Sequence, residues 1–447
     1  MKKNLLLAIL VVILVTGCSR NPSRSGRDVG SVENKGATPV AEQPAKVPSV
    51  IPQIKPTVNI YIENSGSMNG FINQTSEYQD AIQNMVVWLE YYYDTKNIKL
   101  HYINEKIILK EKPQNLPLPD FAQLMLTPVE FKSNGNGAST NLNSIISMIL
   151  NRTNDNTISI LLSDNIYSIS GSQTAPVLLS ECKNKTLQAF LGKSKELENL
   201  HQQSLSTTII QLDSQFKGNY WDYKHPVGKA SQQLNCKRPY YMCVIGTNDL
   251  ISDFNDKINV NEMNGYQNKY TLTEIEELNP ICGVLVNTYK IGRFRKIDST
   301  TIREAMPDKH KNVFAMAIAV DLKDIPLSDD EKCDVRLYEA TEDYIIDEVV
   351  KIENAKVAPV DMQATQNCTH IIKISTLNRT VPSFTLKMKR ELPDWVEKSS
   401  SIDDTKIGTN RDEQNKTFGL KYFVTGIKEA YDKGADNYFE INIVVNK

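Results

Sequence analysis

The sequence is short of the residues and patterns on which many hydrolases and nucleic-acid-binding proteins depend. Its 5 His residues are scattered, with no acid or second His at metal-ligand spacing. It contains neither Gly-x-Ser-x-Gly nor His-Glu-x-x-His, which excludes the serine hydrolase and zinc protease types that use those motifs. Lys and Arg number 51 against 53 Asp and Glu, so the basic excess of a nucleic-acid-binding protein is absent.

The N-terminus resembles that of a bacterial lipoprotein precursor. Lys2 and Lys3 precede an apolar run, Leu5 to Val15, that is too short to span a membrane comfortably. The following Leu14-Val15-Thr16-Gly17-Cys18 is similar to a lipobox, which implies cleavage after residue 17 and a lipid anchor on Cys18. A secretory peptide with a coincidental Cys, or an uncleaved anchor, is the alternative. The residues after Cys18 form no acidic cluster, which favours the outer membrane over the inner one.

Length and composition divide the rest of the chain. Residues 18–55 are rich in Ser, Pro, Gly and Ala and lack periodicity, which predicts a disordered tether. The rest of the chain has more residues than usually fold around a single hydrophobic core, which predicts two domains. We expect an α/β domain over 56–258, a polar linker over 259–280 and a β-rich domain over 281–447.

Six cysteines remain once Cys18 is set aside, and none has zinc-site spacing: Cys182, Cys236, Cys243, Cys282, Cys333 and Cys368. Export from the cytoplasm permits disulfides, but six cysteines allow about fifteen pairings. Cys243 alternates within an apolar run, so a buried free thiol is as compatible with its position as a bridge.

Strands alternate with helices from Thr57 to Ile258. Apolar, β-branched runs predict strands near 58–62, 97–103, 157–162, 206–212 and 240–245. Residues at helical spacing predict helices near 78–93, 121–126, 142–149, 187–200 and 249–258. Short apolar strand cores separated by helices are typical of a doubly wound, mostly parallel sheet covered on both faces.

The C-terminal part has a different pattern. Extended runs occur at 281–289, 313–320, 370–374, 384–388 and 438–445. In two of them apolar and polar residues alternate, as they do in half-buried antiparallel strands. Apolar residues at helical spacing between Phe418 and Tyr431 predict one helix. We therefore expect a sandwich-like β-rich domain with a helical insertion.

Oxygen-bearing side chains follow two of the predicted strands. Glu63, Ser65 and Ser67 come where the first strand ends, Asp164 follows the strand at 158–162, and Thr140 lies in a Gly-rich loop. The carboxyl ends of parallel strands share one edge of a sheet, and Mg²⁺ prefers oxygen ligands. The alternative for the first segment is a polar strand-to-helix turn in which a Ser caps the helix.

These segments resemble the metal-ion-dependent adhesion site of von Willebrand factor A domains. The matching segments are Glu63-x-Ser65-x-Ser67, Gly137 to Leu142 and Ile160 to Asn165, and the resemblance covers about residues 56–258. It implies that Ser65, Ser67 and Thr140 supply hydroxyl ligands, with Glu63 and Asp164 acting largely through bound waters. In many members of the family a carboxylate of the binding partner completes the shell.

Two residues depart from the family pattern. Glu63 stands where the family has Asp. Because Glu is longer by one methylene, its carboxylate either binds the metal ion directly or lies out of position to act as a ligand. Asn165 stands where Gly is usual. The resemblance implies Mg²⁺, with Ca²⁺ or Mn²⁺ as alternatives, and a degenerate site without metal also stays open.

The sequence therefore predicts a lipid-anchored envelope protein that is not an enzyme. Its α/β domain is expected to bind a partner protein's Asp or Glu through a divalent ion. Two alternatives stay open: a metal-independent scaffold of an envelope complex, and a metal-assisted hydrolase.

Overall fold

A seven-stranded sheet forms the centre of the first half of the described chain. The computed structural model describes residues 55–133, 141–169, 171–224, 231–274, 276–325, 327–432 and 435–447. The sheet consists of β1 (Thr57–Glu63), β2 (Ile98–Ile103), β3 (Ile107–Leu109), β4 (Thr157–Ser163), β5 (Leu205–Tyr220), β6 (Gln232–Thr247) and β7 (Tyr266–Thr273). Their spatial order is β3-β2-β1-β4-β6-β5-β7.

The sheet contains both parallel and antiparallel neighbours. Strands β2, β1 and β4 are parallel neighbours at its centre. The pairs β2–β3, β4–β6, β6–β5 and β5–β7 are antiparallel. Four strands consequently run in one direction (β1, β2, β4 and β5), and three run in the other (β3, β6 and β7). Together with its helices, this sheet gives the chain a mixed α/β fold.

Helices cover both faces of this sheet. They are α1 (Asn69–Ile72), α2 (Glu77–Tyr92), α3 (Leu118–Met125), α4 (Pro128–Ser133), α5 (Leu142–Leu150), α6 (Ala175–Asn199) and α7 (Asn248–Lys257). Successive side chains of a strand point to opposite faces. Accordingly, Ile60 and Ile62 pack into one apolar cluster with α2 and α3, whereas Tyr61 packs into another with α5 and α6.

Strands β5 and β6 are much longer than the sequence predicts. Each has 16 residues, and they pair without interruption from Leu205↔Thr247 to Tyr220↔Gln232. The residues of β5 and β6 outside the predicted segments, 213–220 and 232–239, form two outer arms that are mostly polar. The apolar pattern therefore revealed only the buried ends of the strands, at 206–212 and 240–245. The arm of β5 lies against helix α1: a Cβ on Gly218 would come within 2.8 Å of the Gly70 Cα.

Strand β7 lies within the segment that was expected to be a linker. Residues 266–273 pair with β5 at the edge of the sheet, where a strand needs no continuous apolar pattern. A further helix, α11 (Leu420–Tyr431), was expected inside the β-rich domain. It packs instead against α6, where a Cβ on Gly426 would meet the Lys183 carbonyl oxygen at 2.8 Å.

The second half of the described chain contains two larger sheets that are mainly antiparallel. Its strands are β8 (Ile281–Val284), β9 (Arg293–Lys296), β10 (Thr301–Met306), β11 (Phe314–Val320), β12 (Tyr338–Ala340), β13 (Ile345–Lys351), β14 (His370–Thr376), β15 (Phe384–Lys389), β16 (Ser400–Ser401), β17 (Thr417–Phe418) and β18 (Asn437–Asn446). Short helices are α8 (Asp329–Lys332), α9 (Asp394–Lys398) and α10 (Arg411–Gln414).

One apolar cluster is shared by those two sheets. Their strand orders are β12-β15-β18-β10-β9 and β13-β14-β11-β8. Ile318 of β11 and Leu386 of β15 both belong to this cluster and are fully buried. Among the described residues, no helix combines the length and apolar character needed to cross a membrane.

The segment between β13 and β14 is fastened to the four-stranded sheet at two points. A disulfide joins Cys282 on β8 to Cys368, while Cys243 is a buried free thiol. Asp361, only 1% exposed, accepts hydrogen bonds from the backbone N–H groups of Val286 (2.6 Å), Asn287 (2.9 Å) and Thr288 (2.7 Å). The Thr288 hydroxyl also donates to it at 2.8 Å.

Replacing Asp361 by Asn is expected to lower the free energy of unfolding by about 2 kcal/mol at pH 7, because charge-assisted bonds are lost. Burial by itself would raise the pKa of Asp361. The hydrogen bonds together have the larger effect, so the pKa in the folded protein lies below its usual value. The stabilisation is therefore present at pH values above the pKa that Asp361 has in the unfolded chain. It is lost as the pH falls through the pKa of Asp361 in the folded protein. Urea unfolding at pH 7 and pH 3 measures this, and the exposed Asp155→Asn is the control. An equal effect at both pH values would contradict the assignment.

Candidate metal site

The ends of β1 and β4 bring an acid and a hydroxyl side by side. These parallel neighbours pair with Ile62 opposite Leu162, so Glu63 and Ser163 are the next residues on adjacent strands. The Ser163 hydroxyl donates to Glu63 Oε2 at 2.5 Å. Glu63 is thereby held at the carboxyl edge of the sheet, where the sequence placed it.

Asp164 follows β4 in a turn that needs a left-handed residue. Asn165 has φ +52°, and its backbone N–H donates to the Ser163 hydroxyl at 2.9 Å. The N–H of Ile166 donates to Asp164 Oδ1 at 3.3 Å. Asn tolerates positive φ better than most residues with a side chain. Asn165 therefore adopts the left-handed conformation on which this turn depends.

The loop after β1 places two hydroxyls beside these acids. Ser65 Oγ lies 3.1 Å from Ser67 Oγ; Ser65 is buried and Ser67 is half-buried. The loop is fastened by Asn64, whose backbone N–H donates to the Ile103 carbonyl at 3.2 Å. The side-chain amide of Asn104 donates to Asn64 Oδ1 at 2.9 Å. The two hydroxyls are therefore presented by an anchored loop.

The two acids are buried together, and both resist ionisation. Glu63 is 5% exposed and Asp164 is 6% exposed. Burial raises the pKa of Glu63, the nearby Asp164 raises it further, and hydrogen bonds from Ser163 and Ser65 oppose the rise. Burial also raises the pKa of Asp164, against hydrogen bonds from Ser67 and the Ile166 N–H and the charge of Arg238. The two loop hydroxyls therefore lie close enough to the acids to oppose the rise in their pKa values.

The fifth predicted ligand, Thr140, lies outside the described residues. The next residue, Asn141, caps helix α5: its Oδ1 accepts from the N–H groups of Asn143 (2.9 Å) and Ser144 (3.3 Å). Four of the five residues predicted for the site are therefore placed by the structure, and they share one edge of the sheet.

Arg238 belongs to the surroundings of the site and was missed from the sequence. It lies on β6 and is 2% exposed, with its guanidinium 4.8 Å from the centre of the Tyr220 ring. Its Nη1 donates to the carbonyls of Gln414 (3.0 Å) and Lys416 (3.3 Å). Nothing in the local pattern distinguished Arg238 from its exposed neighbour Lys237, because the carbonyls that hold it come from a distant segment.

The site offers carboxylates together with hydroxyls rather than a cluster of strong ligands. In the part of the chain that the structure describes, no group of three or more His, Cys, Asp or Glu side chains is placed to hold a metal ion. Comparison of the chain with protein-family models, with curated proteins and with solved structures gave no match.

Proposed function

We propose that this protein is a lipid-anchored cell-envelope protein that binds a divalent cation at the strand-end site and, through it, a carboxylate of a partner protein. One observation carries the proposal: two buried acids, Glu63 and Asp164, converge with the hydroxyls of Ser65 and Ser67 at one sheet edge. Two buried carboxylates repel each other, and a divalent cation removes that repulsion.

The donor set fits Mg²⁺, with Ca²⁺ and Mn²⁺ as alternatives. Glu63, Ser65, Ser67 and Asp164 all offer hard oxygen atoms, the ligands that these ions prefer. Thr140 keeps its role as a ligand implied by the resemblance. The bound ion would supply a positive charge that the neutral hydroxyls do not cancel, and this charge would attract an incoming Asp or Glu. No catalytic role is assigned to any residue.

We assign the first sheet with its helices to the von Willebrand factor A type and the paired C-terminal sheets to a sandwich. Support comes from the parallel β2-β1-β4 centre, from helices on both faces and from the apolar cluster that the two C-terminal sheets share.

The location in the cell envelope depends on the N-terminal segment. The lipobox at Leu14 to Cys18 supports lipidation of Cys18, with the outer membrane favoured over the inner one. The Cys282–Cys368 disulfide supports an oxidising compartment, since disulfides persist in exported proteins and are rare in the cytosol.

Titration calorimetry with Mg²⁺ tests the cation site. The wild-type protein is expected to bind one ion, and Ser65→Ala/Ser67→Ala should weaken binding about tenfold or more. Ser252→Ala, on α7 at the opposite end of the sheet, is the control and should bind as the wild type does. An absence of binding in the wild type would overturn the metal proposal and leave the metal-independent scaffold.

A further inference from the structure

The exposed face of helix α2 changes from polar to apolar along its length. In the first half of the helix this face carries Asp80 and Asn84, which are both exposed. In the second half the corresponding positions are Val87 and Tyr91, which are 47% and 80% exposed. Residues three or four apart lie on the same side of a helix, so these four residues belong to one stripe. The buried face packs against the sheet along the whole helix, so core packing does not account for the change.

Aromatic side chains occupy the last two turns of α2. Tyr91 and Tyr92 pack edge to face with their ring centres 4.8 Å apart, and both are exposed. Trp88, one turn before Tyr92, is half-buried and packs against the apolar cluster beneath the helix. Val87, Trp88, Tyr91 and Tyr92 together form what we call the aromatic patch. Exposed apolar side chains that cluster in this way mark interaction surfaces.

The aromatic patch lies at the end of the sheet where the N-terminal segment joins the domain. The side-chain amide of Asn97, in the short connection from α2 to β2, donates to the Lys55 carbonyl at 3.2 Å. The next residue, Ile98, pairs with Val58 near the start of β1. Because β1 and β2 are parallel, α2 runs back from the edge that holds the cation site to this opposite end. The segment that leads to Cys18 therefore departs beside the aromatic patch.

We propose that the aromatic patch rests on the lipid surface to which Cys18 is anchored, with its rings at the level of the phospholipid headgroups. This inference rests on the lipid anchor in the proposed function. Tyr and Trp are enriched at membrane–water interfaces, because each combines an apolar ring with a polar tip.

The length of the tether makes a weak contact sufficient. Residues 19–54 separate Cys18 from Lys55. A disordered chain of that length, as the composition predicts, has a root-mean-square span of about 35 Å. The patch is thereby presented to the membrane at an effective concentration of about 1 mM, so modest affinity holds it there.

The cation site points away from the membrane in this orientation. Helix α2 has 16 residues and is therefore about 24 Å long. Glu63 and Asp164 lie at the edge of the sheet from which the chain enters α1 and α2, so they are held clear of the headgroups. A partner protein can approach the site from that side.

The contact is carried by apolar area rather than by charge. Near the patch, Lys96 and Lys99 are exposed, but Asp94 is exposed as well and Glu90 is half-buried. These two bases and two acids leave no local excess of positive charge to attract anionic headgroups. We therefore expect the contact to persist at high salt, which screens exposed charges.

The test measures tryptophan fluorescence of the lipidated protein in vesicles of phosphatidylethanolamine and phosphatidylglycerol that include phospholipids brominated close to the headgroup. Bromine quenches a tryptophan that touches the lipid. The chain has 3 Trp residues: Trp88, Trp221 and Trp395. The wild type should be quenched at low and at high salt, and Trp88→Phe should lose that quenching.

Tyr91→Asp and Val129→Asp form a matched pair for the same measurement. Each places a charge at an exposed apolar position, since Tyr91 is 80% and Val129 is 83% exposed. Val129 lies on α4, at the end of the sheet where Asn64 donates to the Phe131 carbonyl at 3.4 Å. Tyr91→Asp should lose the quenching, because a charge is costly to bring among the lipids, and Val129→Asp should keep it.

Flotation of the vesicles reports the anchor separately from the patch. A wild type that does not float with the vesicles would overturn the lipid anchor, and this inference with it. A wild type that floats without quenching of Trp88 would overturn the inference alone, as would quenching that survives in Tyr91→Asp or is lost equally in Val129→Asp. A wild-type dimer that Tyr91→Asp abolishes would also overturn it, because the patch would then belong to a second copy of the chain.

Discussion

Replacing Glu63 by Gln is expected to stabilise the cation-free protein at pH 8 while weakening Mg²⁺ binding by about 100-fold. Gln keeps the length of the side chain and an oxygen that accepts from the Ser163 hydroxyl, and it removes the charge. Its neutral amide resembles the protonated acid, which is the form that burial next to Asp164 favours. The two effects have opposite signs, so a general loss of structure cannot imitate them.

The pH dependence follows from the direction of the pKa shift. The folded-state pKa of Glu63 is raised, so the folded protein holds more protons than the unfolded chain at pH values between the two pKa values. The stability of the cation-free wild type therefore falls as the pH rises from about 4 through the raised folded pKa. The contribution of Glu63 to this fall should vanish in Glu63→Gln.

Thermal unfolding at pH 5 and pH 8, with and without Mg²⁺, measures these effects. Mg²⁺ should stabilise the wild type most at pH 8 and leave Glu63→Gln almost unchanged. Asp155→Asn, which removes an exposed acid, serves as the control. A Glu63→Gln protein less stable than wild type at pH 8 without cation would contradict the description of a strained acid pair.

Replacing Arg238 by Met is expected to lower the free energy of unfolding by about 3 kcal/mol. Met fills much of the same space but leaves the carbonyls of Gln414 and Lys416 without their donor. The stacking of the guanidinium on the Tyr220 ring is lost as well. Because Arg238 is 2% exposed, water cannot replace these contacts freely.

The neighbouring Lys237→Met is the matched control for Arg238. The Lys237 side chain is 60% exposed and pairs with Glu77 at 3.1 Å, and such surface pairs contribute about 0 to 1 kcal/mol. Arg238→Met has a second expected effect: loss of its charge raises the pKa of Asp164 further. Urea unfolding of both variants at pH 5 and pH 8 separates the two effects, and equal losses in the two variants would refute the role given to Arg238.

The parts of the fold that the sequence predicted are those with local, strongly periodic patterns. Strand β1, helix α2 and strand β4 fall within one or two residues of their predicted bounds, because apolar residues recur along them at the period of the element. The outer arms of β5 and β6 escaped prediction for the opposite reason. They are polar and are held by pairing with each other and by contacts from the C-terminal segment, such as the bond from Tyr220 Oη to Asp404 Oδ2 at 2.6 Å.

The candidate site divides in the same way. Glu63, Ser65, Ser67 and Asp164 were identified because each lies directly after a recognisable strand, and such strand ends meet at one edge of a sheet. Ser163 and Arg238 were not identified as residues of the site or its surroundings. Their importance depends on which atom each side chain reaches across the fold, and that is decided by packing between distant segments rather than by neighbours in sequence.

The anomalous scattering of Mn²⁺ in crystals of this protein tests for an ion at the strand-end site, because it locates a bound ion without reference to stability. We expect one anomalous peak among the oxygen atoms of Glu63, Ser65, Ser67 and Asp164, and its absence in crystals of Ser65→Ala/Ser67→Ala. An ordered wild-type site with no peak between Glu63 and Asp164, or a peak only elsewhere, would contradict the proposed cation site.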